Sequence, residues 1–308
     1  ERMSRRDRNP ETLFAAALEG DRSALARLLS MIEQGGDDAR TVGRLSYPLG
    51  GHSYTVGLTG APGAGKSTLT SSIIGHLRKM DLEVAVLAID PSSPFTGGAI
   101  LGDRVRMQDH ATDRGVFIRS MATRGHLGGL SLAAPEAIRL LDAIGRLWVL
   151  VETVGVGQVE VEIAGKADTT VVVVNPGWGD SVQANKAGLM EIADVFVINK
   201  ADRKGVDETR RDLEQMLDLS DLPHEAWRPP IVPTIGSTGE GVDALWDVVQ
   251  QHRAHISSTG ELDRRRRFRS HHIHHRRCRV CVSFDDGDCC FYYSYFAFYC
   301  QRYCLVSV

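Results

Sequence analysis

Cysteine is absent from the first 277 residues of this 308-residue chain; all six cysteines lie between Cys278 and Cys304. A disulfide framework is therefore excluded for the bulk of the molecule. Excess charge is also missing. The formal net charge is -3, so no global basic field points to nucleic acid, and no nucleic-acid partner is expected. No apolar run reaches the roughly 20 residues of a membrane-spanning helix, so no membrane partner is expected either. The stretch Cys289 to Cys300 is apolar and aromatic, but it is short and is followed by Gln301 and Arg302. Glu1 to Arg8 is polar and no apolar signal core follows it, which sets cytoplasm as the expected location. The remaining composition, 43% hydrophobic and 24% charged, is that of a globular protein with one large domain or two.

What is present is unevenly spread. Tyr292, Tyr293, Tyr295, Tyr299 and Tyr303 crowd the C-terminal stretch, as do His271, His272, His274 and His275. Upstream, Glu11 to about Gln34 has helical spacing with a break at Gly20-Asp21, where Asp21 is a candidate N-cap, and Gly35 to Asp38 is expected to end it. From Ser53 onward, β-rich runs (Ser53–Leu58, Glu83–Ile89, Leu147–Val151, Thr170–Val174, Val195–Ile198) alternate with helical patterns (Ser67–Lys79, Ala133–Ile144, Ser181–Ile192, Val206–Leu217, Gly241–His255). The fully apolar runs suit parallel strands buried on both faces. This alternation predicts a doubly wound, mostly parallel α/β sheet that binds ligands at the carboxyl ends of its strands.

Gly60-Ala61-Pro62-Gly63-Ala64-Gly65-Lys66-Ser67-Thr68 fits G-x-x-x-x-G-K-[ST] between a strand and a helix. Phosphate oxygens need many donors in little space. Glycines let successive N–H groups turn toward the anion, and the helix start adds its positive end. Lys66 can then reach the β- and γ-phosphates, and Ser67 can hold Mg²⁺.

Asn199-Lys200-Ala201-Asp202 follows a strand and matches N-K-x-D. A carboxylate at Asp202 can accept both N1–H and the 2-amino group of guanine, which adenine does not offer, so GTP and GDP are the expected nucleotides. Glu152-Thr153-Val154-Gly155 ends another strand, with Glu152 placed to hold Mg²⁺ through water and the Gly155 N–H to meet the γ-phosphate. Val156 follows and cannot orient water, so slow intrinsic hydrolysis is expected. Gln158 is a candidate for that task and equally an ordinary loop residue. Asp90, at the end of Glu83–Ile89, and Asp103, after a glycine-rich stretch with the composition of a switch loop, are further acidic candidates around the metal. Asp103 alternatively caps the next helix.

GAPGAGKST, AIDPSSPFTGGAILGDRVRM, IRSMATRGHLGGLS, VETVGVGQVEVEIA and INKAD, in this order, resemble the MeaB/MMAA/ArgK family of P-loop GTPases over about Thr12 to Arg267. The resemblance implies an N-terminal helical extension (1–45), a SIMIBI-class G domain (46–250) and the start of a helical dimerisation arm (251–267), hence a homodimer. It implies a GTPase chaperone that gates cofactor loading and protection of an adenosylcobalamin-dependent acyl-CoA mutase, typically methylmalonyl-CoA mutase, with Mg²⁺ and GTP/GDP as its ligands. It also assigns Asp180 and Lys186, within Gly177 to Gly188, to a partner-responsive switch. It sets Ser237, Thr238 and Gly239 in a second base-contacting loop, although the Ser-Ala pair often found there is missing.

Two other classes compete: a kinase linked to amino-acid (lysine/arginine/ornithine) transport, and a nickel-type metallochaperone GTPase. The guanine motif weighs against the first and the cysteine-free G domain against the second. Residues 268–308 break the family's pattern, as an out-of-frame terminus would, which resequencing the gene tests. A metal site at Cys278-x-x-Cys281 has no second pair of ligand spacing, because Cys289 and Cys290 are adjacent.

Overall fold

The computed structural model describes residues 9–90, 107–110, 112–122, 129–153, 167–177, 191–219 and 226–267. Asn9 starts the first helix. Its side-chain oxygen accepts from the Glu11 and Thr12 amides at 2.8 and 3.1 Å, and Pro10 occupies the first helical position of α1 (Pro10–Leu18). Asp21 caps α2 (Arg22–Gln34) as the sequence predicts, accepting from Ser23 and Ala24 at 2.7 and 3.1 Å. α2 ends at Gln34 with Gly35, at φ 74°, as its C-cap, where the sequence places the end; α3 (Gly36–Ser46), of which the sequence carries no sign, follows at once. Asp37 and Asp38 stand in its first turn, where carboxylates favour the positive helix end, and Ala39, Val42, Gly43 and Ser46 form its buried stripe.

Seven strands make one all-parallel sheet: β1 (Tyr54–Gly60), β2 (Val84–Asp90), β3 (Val116–Ala122), β4 (Trp148–Thr153), β5 (Thr169–Val174), β6 (Val195–Asn199) and β7 (Ile231–Thr234). Their order is β3-β2-β4-β1-β5-β6-β7. The helices between them are α4 (Lys66–Lys79), α5 (Gly129–Ala143), α6 (Val206–Asp218) and α7 (Val242–Ser258). Five strands match the apolar runs of the sequence. The other two, β3 and β7, are edge strands without a continuous apolar run. β3 carries Arg119 and Ser120, and β7 carries Pro233, which a sheet tolerates at its edge. The helix expected over Ser181–Ile192 falls almost wholly outside the described residues.

Alternate residues of the central strands feed two cores, as a sheet covered on both faces requires. Val84 and Val86 of β2, with Trp148 and Leu150 of β4, share a core with α4 and α7. Ala85, Leu87, Ile89, Val149 and Val151 face the other way, against α1–α3 and α5. The N-terminal helices therefore share the core beneath β2, β3 and β4.

Contacts divide the chain after Arg265, and everything described so far belongs to the first unit. At the amino ends of the strands this unit buries a polar network. His252 of α7 is fully buried. Its Nδ1 lies 2.8 Å from Thr169 Oγ1, and its Nε2 is 3.2 Å from Asp194 Oδ1. Tyr54 OH meets the same Thr169 oxygen at 2.7 Å. Arg265, in a helical segment beginning at residue 261, holds both Asp194 oxygens at 2.9 Å. Burial alone would raise the Asp194 carboxyl, but the His252 and Arg265 hydrogen bonds outweigh it and hold the group below its usual range. Thr169, His252 and Asp194 stand in the order of a catalytic triad, yet all three are buried from any substrate, so their role is to join α7 and Arg265 to the sheet.

Candidate nucleotide site

Strand order reverses around β1, whose neighbours are β4 on one side and β5 on the other. The crevice at such a switch point is where an open α/β sheet binds its ligand, and the chain places Gly60 to Thr68 there. Gly60 has φ 133°, and a Cβ on it would lie 1.9 Å from the Val173 carbonyl oxygen of β5. Only glycine lets the loop leave the strand so close to its neighbour. Gly63 and Gly65 also take positive φ, at 72° and 88°. The loop turns tightly before α4 begins at Lys66, its amide-rich N-terminus facing the loop's interior.

Lys66 is 7% exposed. Its Nζ donates to the Gly60 and Ala61 carbonyls at 2.8 and 3.1 Å, so the ammonium is held over the loop. Ser67, also buried, donates from Oγ to Glu152 Oε1 at 2.5 Å. Glu152 reaches this position through sheet register: it pairs with Leu58 of β1 on one side and Ala88 of β2 on the other. Asp90 ends β2 two residues beyond Ala88, at the same carboxyl edge. Ala61 and Ala64 are buried, whereas Pro62, Gly63 and Thr68 are exposed at the mouth. Asp103, Gly155, Val156, Gln158, Asp180, Lys186 and the Cys278–Cys281 pair lie outside the described residues.

Asn199, at the end of β6 and 2% exposed, bridges two loops. Its Nδ2 donates to the Ala64 carbonyl at 2.8 Å, and its Oδ1 accepts from the Gly236 amide at 2.9 Å and Thr234 Oγ1 at 3.2 Å. Lys200 takes φ 60°, and its Nζ donates to the Gly63 carbonyl at 2.6 Å. Asp202, next along this loop, is exposed. The 235–241 turn is closed by Ile235 N to Glu240 O at 2.9 Å and Gly239 N to Ile235 O at 2.9 Å, leaving Ser237 and Thr238 exposed. The structure thus brings the glycine-rich loop, Glu152, the 199–202 loop and the 235–241 turn together at one edge.

Three contributors lie outside the residues singled out in the sequence. Thr234 and Gly236 hold the Asn199 carbonyl oxygen, and Ser72 of α4 donates to the Gly236 carbonyl at 2.6 Å. A backbone partner leaves no motif; only the base-contacting loop that the family resemblance sets at Ser237 to Gly239 pointed to this region. Among the described residues no group of three or more His, Cys, Asp or Glu side chains could hold a metal, and no helix is long and apolar enough to cross a membrane.

An all-parallel sheet with a glycine-rich anion loop at the carboxyl end of β1 defines an α/β P-loop NTPase fold. A crystal structure described as an LAO/AO transport system kinase shares it with a TM-score of 0.73, at 26% identity and covering 90% of this chain and 85% of that one. The profile of the family described as methylmalonyl Co-A mutase-associated GTPase MeaB matches residues 25–282, and the chain belongs to that family. The match runs past Arg267, where the sequence pattern was expected to break. A Pyrococcus abyssi protein carrying a GTPase name is 56% identical over 261 residues, which cover 84% of this chain and 81% of that one. The mouse mitochondrial homologue of methylmalonic aciduria type A is 33% identical over 276 residues, covering 83% and 66%. The chain is a GTPase and binds guanine nucleotide.

Proposed function

We propose that this GTPase acts as a chaperone for an adenosylcobalamin-dependent acyl-CoA mutase, with methylmalonyl-CoA mutase as its client, and that GTP hydrolysis gates the loading and protection of the client's cofactor. The observation that carries this is the match to a family described as mutase-associated over 25–282, a stretch that includes the whole pocket at the sheet's carboxyl edge.

In this pocket Lys66 and the amides of the 60–67 loop bind the β- and γ-phosphates. Asn199 sets the distance between that loop and the base end, Asp202 accepts from guanine N1–H and its 2-amino group, and Ser237 to Gly239 flank the base. Ser67 and Glu152 suit Mg²⁺, being two buried oxygen groups in contact at 2.5 Å. Such an ion would neutralise charge on the β- and γ-phosphates, and Asp90 and Asp103 are the further acidic candidates that the sequence offers for it. Gly155 meets the γ-phosphate, and Val156 beside it leaves the attacking water unaligned, so turnover is slow until the client is bound. Asp180 and Lys186 respond to that client, and the helical arm from residue 251 makes the homodimer in the cytoplasm.

The test is GTP turnover with and without purified methylmalonyl-CoA mutase. Turnover is expected to rise severalfold, with a complex on gel filtration; unchanged turnover and no complex would reject the chaperone role. The kinase in the name of the LAO/AO structure is the rival. It is separated by where the γ-phosphate goes, to water as free phosphate or to an acceptor.

A further inference from the structure

We infer that Ser72 is a positioning residue for guanine recognition, acting through the 235–239 turn; the inference rests on the guanine pocket proposed above. Ser72 sits on α4 less than two turns from Lys66, on the helix that presents the phosphate loop. Its Oγ donates to the Gly236 carbonyl at 2.6 Å. The turn is pressed against the helix at this point: a Cβ on Gly236 would lie 3.2 Å from both the backbone nitrogen and Cα of Leu69. The Gly236 amide in turn donates to Asn199 Oδ1 at 2.9 Å, while Asn199 Nδ2 reaches the Ala64 carbonyl at 2.8 Å.

These links close a ring. It runs from α4 through Ser72 to Gly236, on to Asn199, across to Ala64 and through Lys66 back into α4. Three of its four joints are backbone or a motif side chain. Ser72 is the one joint made by a residue that neither phosphate nor base would touch. Its hydroxyl fixes the carbonyl side of the Gly236 peptide, and the same residue's amide is fixed by Asn199. With both polar groups of Gly236 held, Ser237 and Thr238 project from a turn of fixed height over the helix. Without the Ser72 bond the Gly236 peptide is held by Asn199 alone, and the base end of the pocket widens while the phosphate end keeps every contact described above.

The experiment uses the full chain and three ligands: GDP, GTP and inorganic tripolyphosphate, which has no base. Ser72→Ala is expected to raise the GDP dissociation constant and the KM for GTP about three- to tenfold, the range of one net hydrogen bond. Tripolyphosphate affinity stays at the parent value, kcat changes less than about twofold, and Ser72→Thr restores GDP affinity. Unchanged GDP affinity in a folded Ser72→Ala protein overturns the inference, as does an equal loss of tripolyphosphate affinity, which would mean general damage to α4. Asp202→Asn is measured alongside. If it leaves GDP affinity intact, the guanine pocket itself is misassigned; if it weakens GDP binding while Ser72→Ala does not, only the role of Ser72 falls.

Discussion

Lys66 is 7% exposed, with two carbonyl dipoles as its described partners. A buried ammonium on this loop has most to gain from phosphate oxygens, whose charge grows on transfer. Lys66→Ala is expected to lower GTP hydrolysis by at least about a hundredfold, read as phosphate release at saturating GTP, while circular dichroism stays that of the folded chain. Substantial residual turnover would refute the phosphate-loop assignment. At this scale the sequence was most informative where one side chain does one job. Lys66, Ser67 and Asn199 were found by spacing alone, and the structure puts them at one edge. The 2.5 Å contact between Ser67 and Glu152 spans 85 positions, and the motif lengths carried no trace of it. Nor could the sequence say that Asn199 spends both ends of its amide on the protein's own loops, because its partners, the Thr234 hydroxyl apart, are backbone atoms.

The glycine-rich loop depends on its seam with β5. Gly60 pairs with Val173 in the sheet, and a methyl group there would meet the Val173 carbonyl at 1.9 Å, so the strand and the loop must part. Gly60→Ala is expected to lower unfolding free energy by more than about 2 kcal/mol, from a backbone clash joined to a positive φ. Urea denaturation measures this, and an unchanged midpoint would contradict it. The elements themselves were largely legible, because a strand buried on both faces needs a continuous apolar run, and β1, β2, β4, β5 and β6 have one. An edge strand needs only one neighbour, so β3 can keep Arg119, whose Nη2 meets Glu33 of α2 at 2.6 Å. That contact with the helical layer is what makes an arginine acceptable there. The third helix escaped notice because a pair of glycines followed by two aspartates reads as a turn, and only the tertiary cover on Ala39 and Val42 decides for helix.

Across the whole molecule, polar chemistry is split between the two ends of the sheet. The carboxyl end holds the residues proposed for the nucleotide; the amino end holds Asp194, His252, Thr169 and Arg265. Arg265→Ala would leave a nine-tenths buried carboxylate without its bidentate partner, and the expected loss is about 3–5 kcal/mol at neutral pH. The sign with pH follows from the depressed Asp194 carboxyl. Its contribution is fully present above the unfolded value near about 3.9 and is lost as pH falls through the lower folded value. Urea titrations of parent and variant should therefore converge in strong acid, and a gap that persists below pH ~2 would show that Arg265 acts by packing alone. None of this network was visible in the sequence, since a lone aspartate before an apolar run and a histidine on a helix have no diagnostic spacing.

The strand β6 joins these two ends within five residues, from Val195, next to Asp194, to Asn199. Strand register has a period of two, and a slip of one position turns every side chain to the opposite face. Here such a slip would pull Asn199 off Ala64 and Gly236 and, in the same movement, draw Asp194 away from His252 and Arg265. A misaligned β6 therefore finds no compromise in which one end is right and the other tolerable. The shortest apolar strand of the sheet is also the one whose alignment is proofread twice as the chain folds.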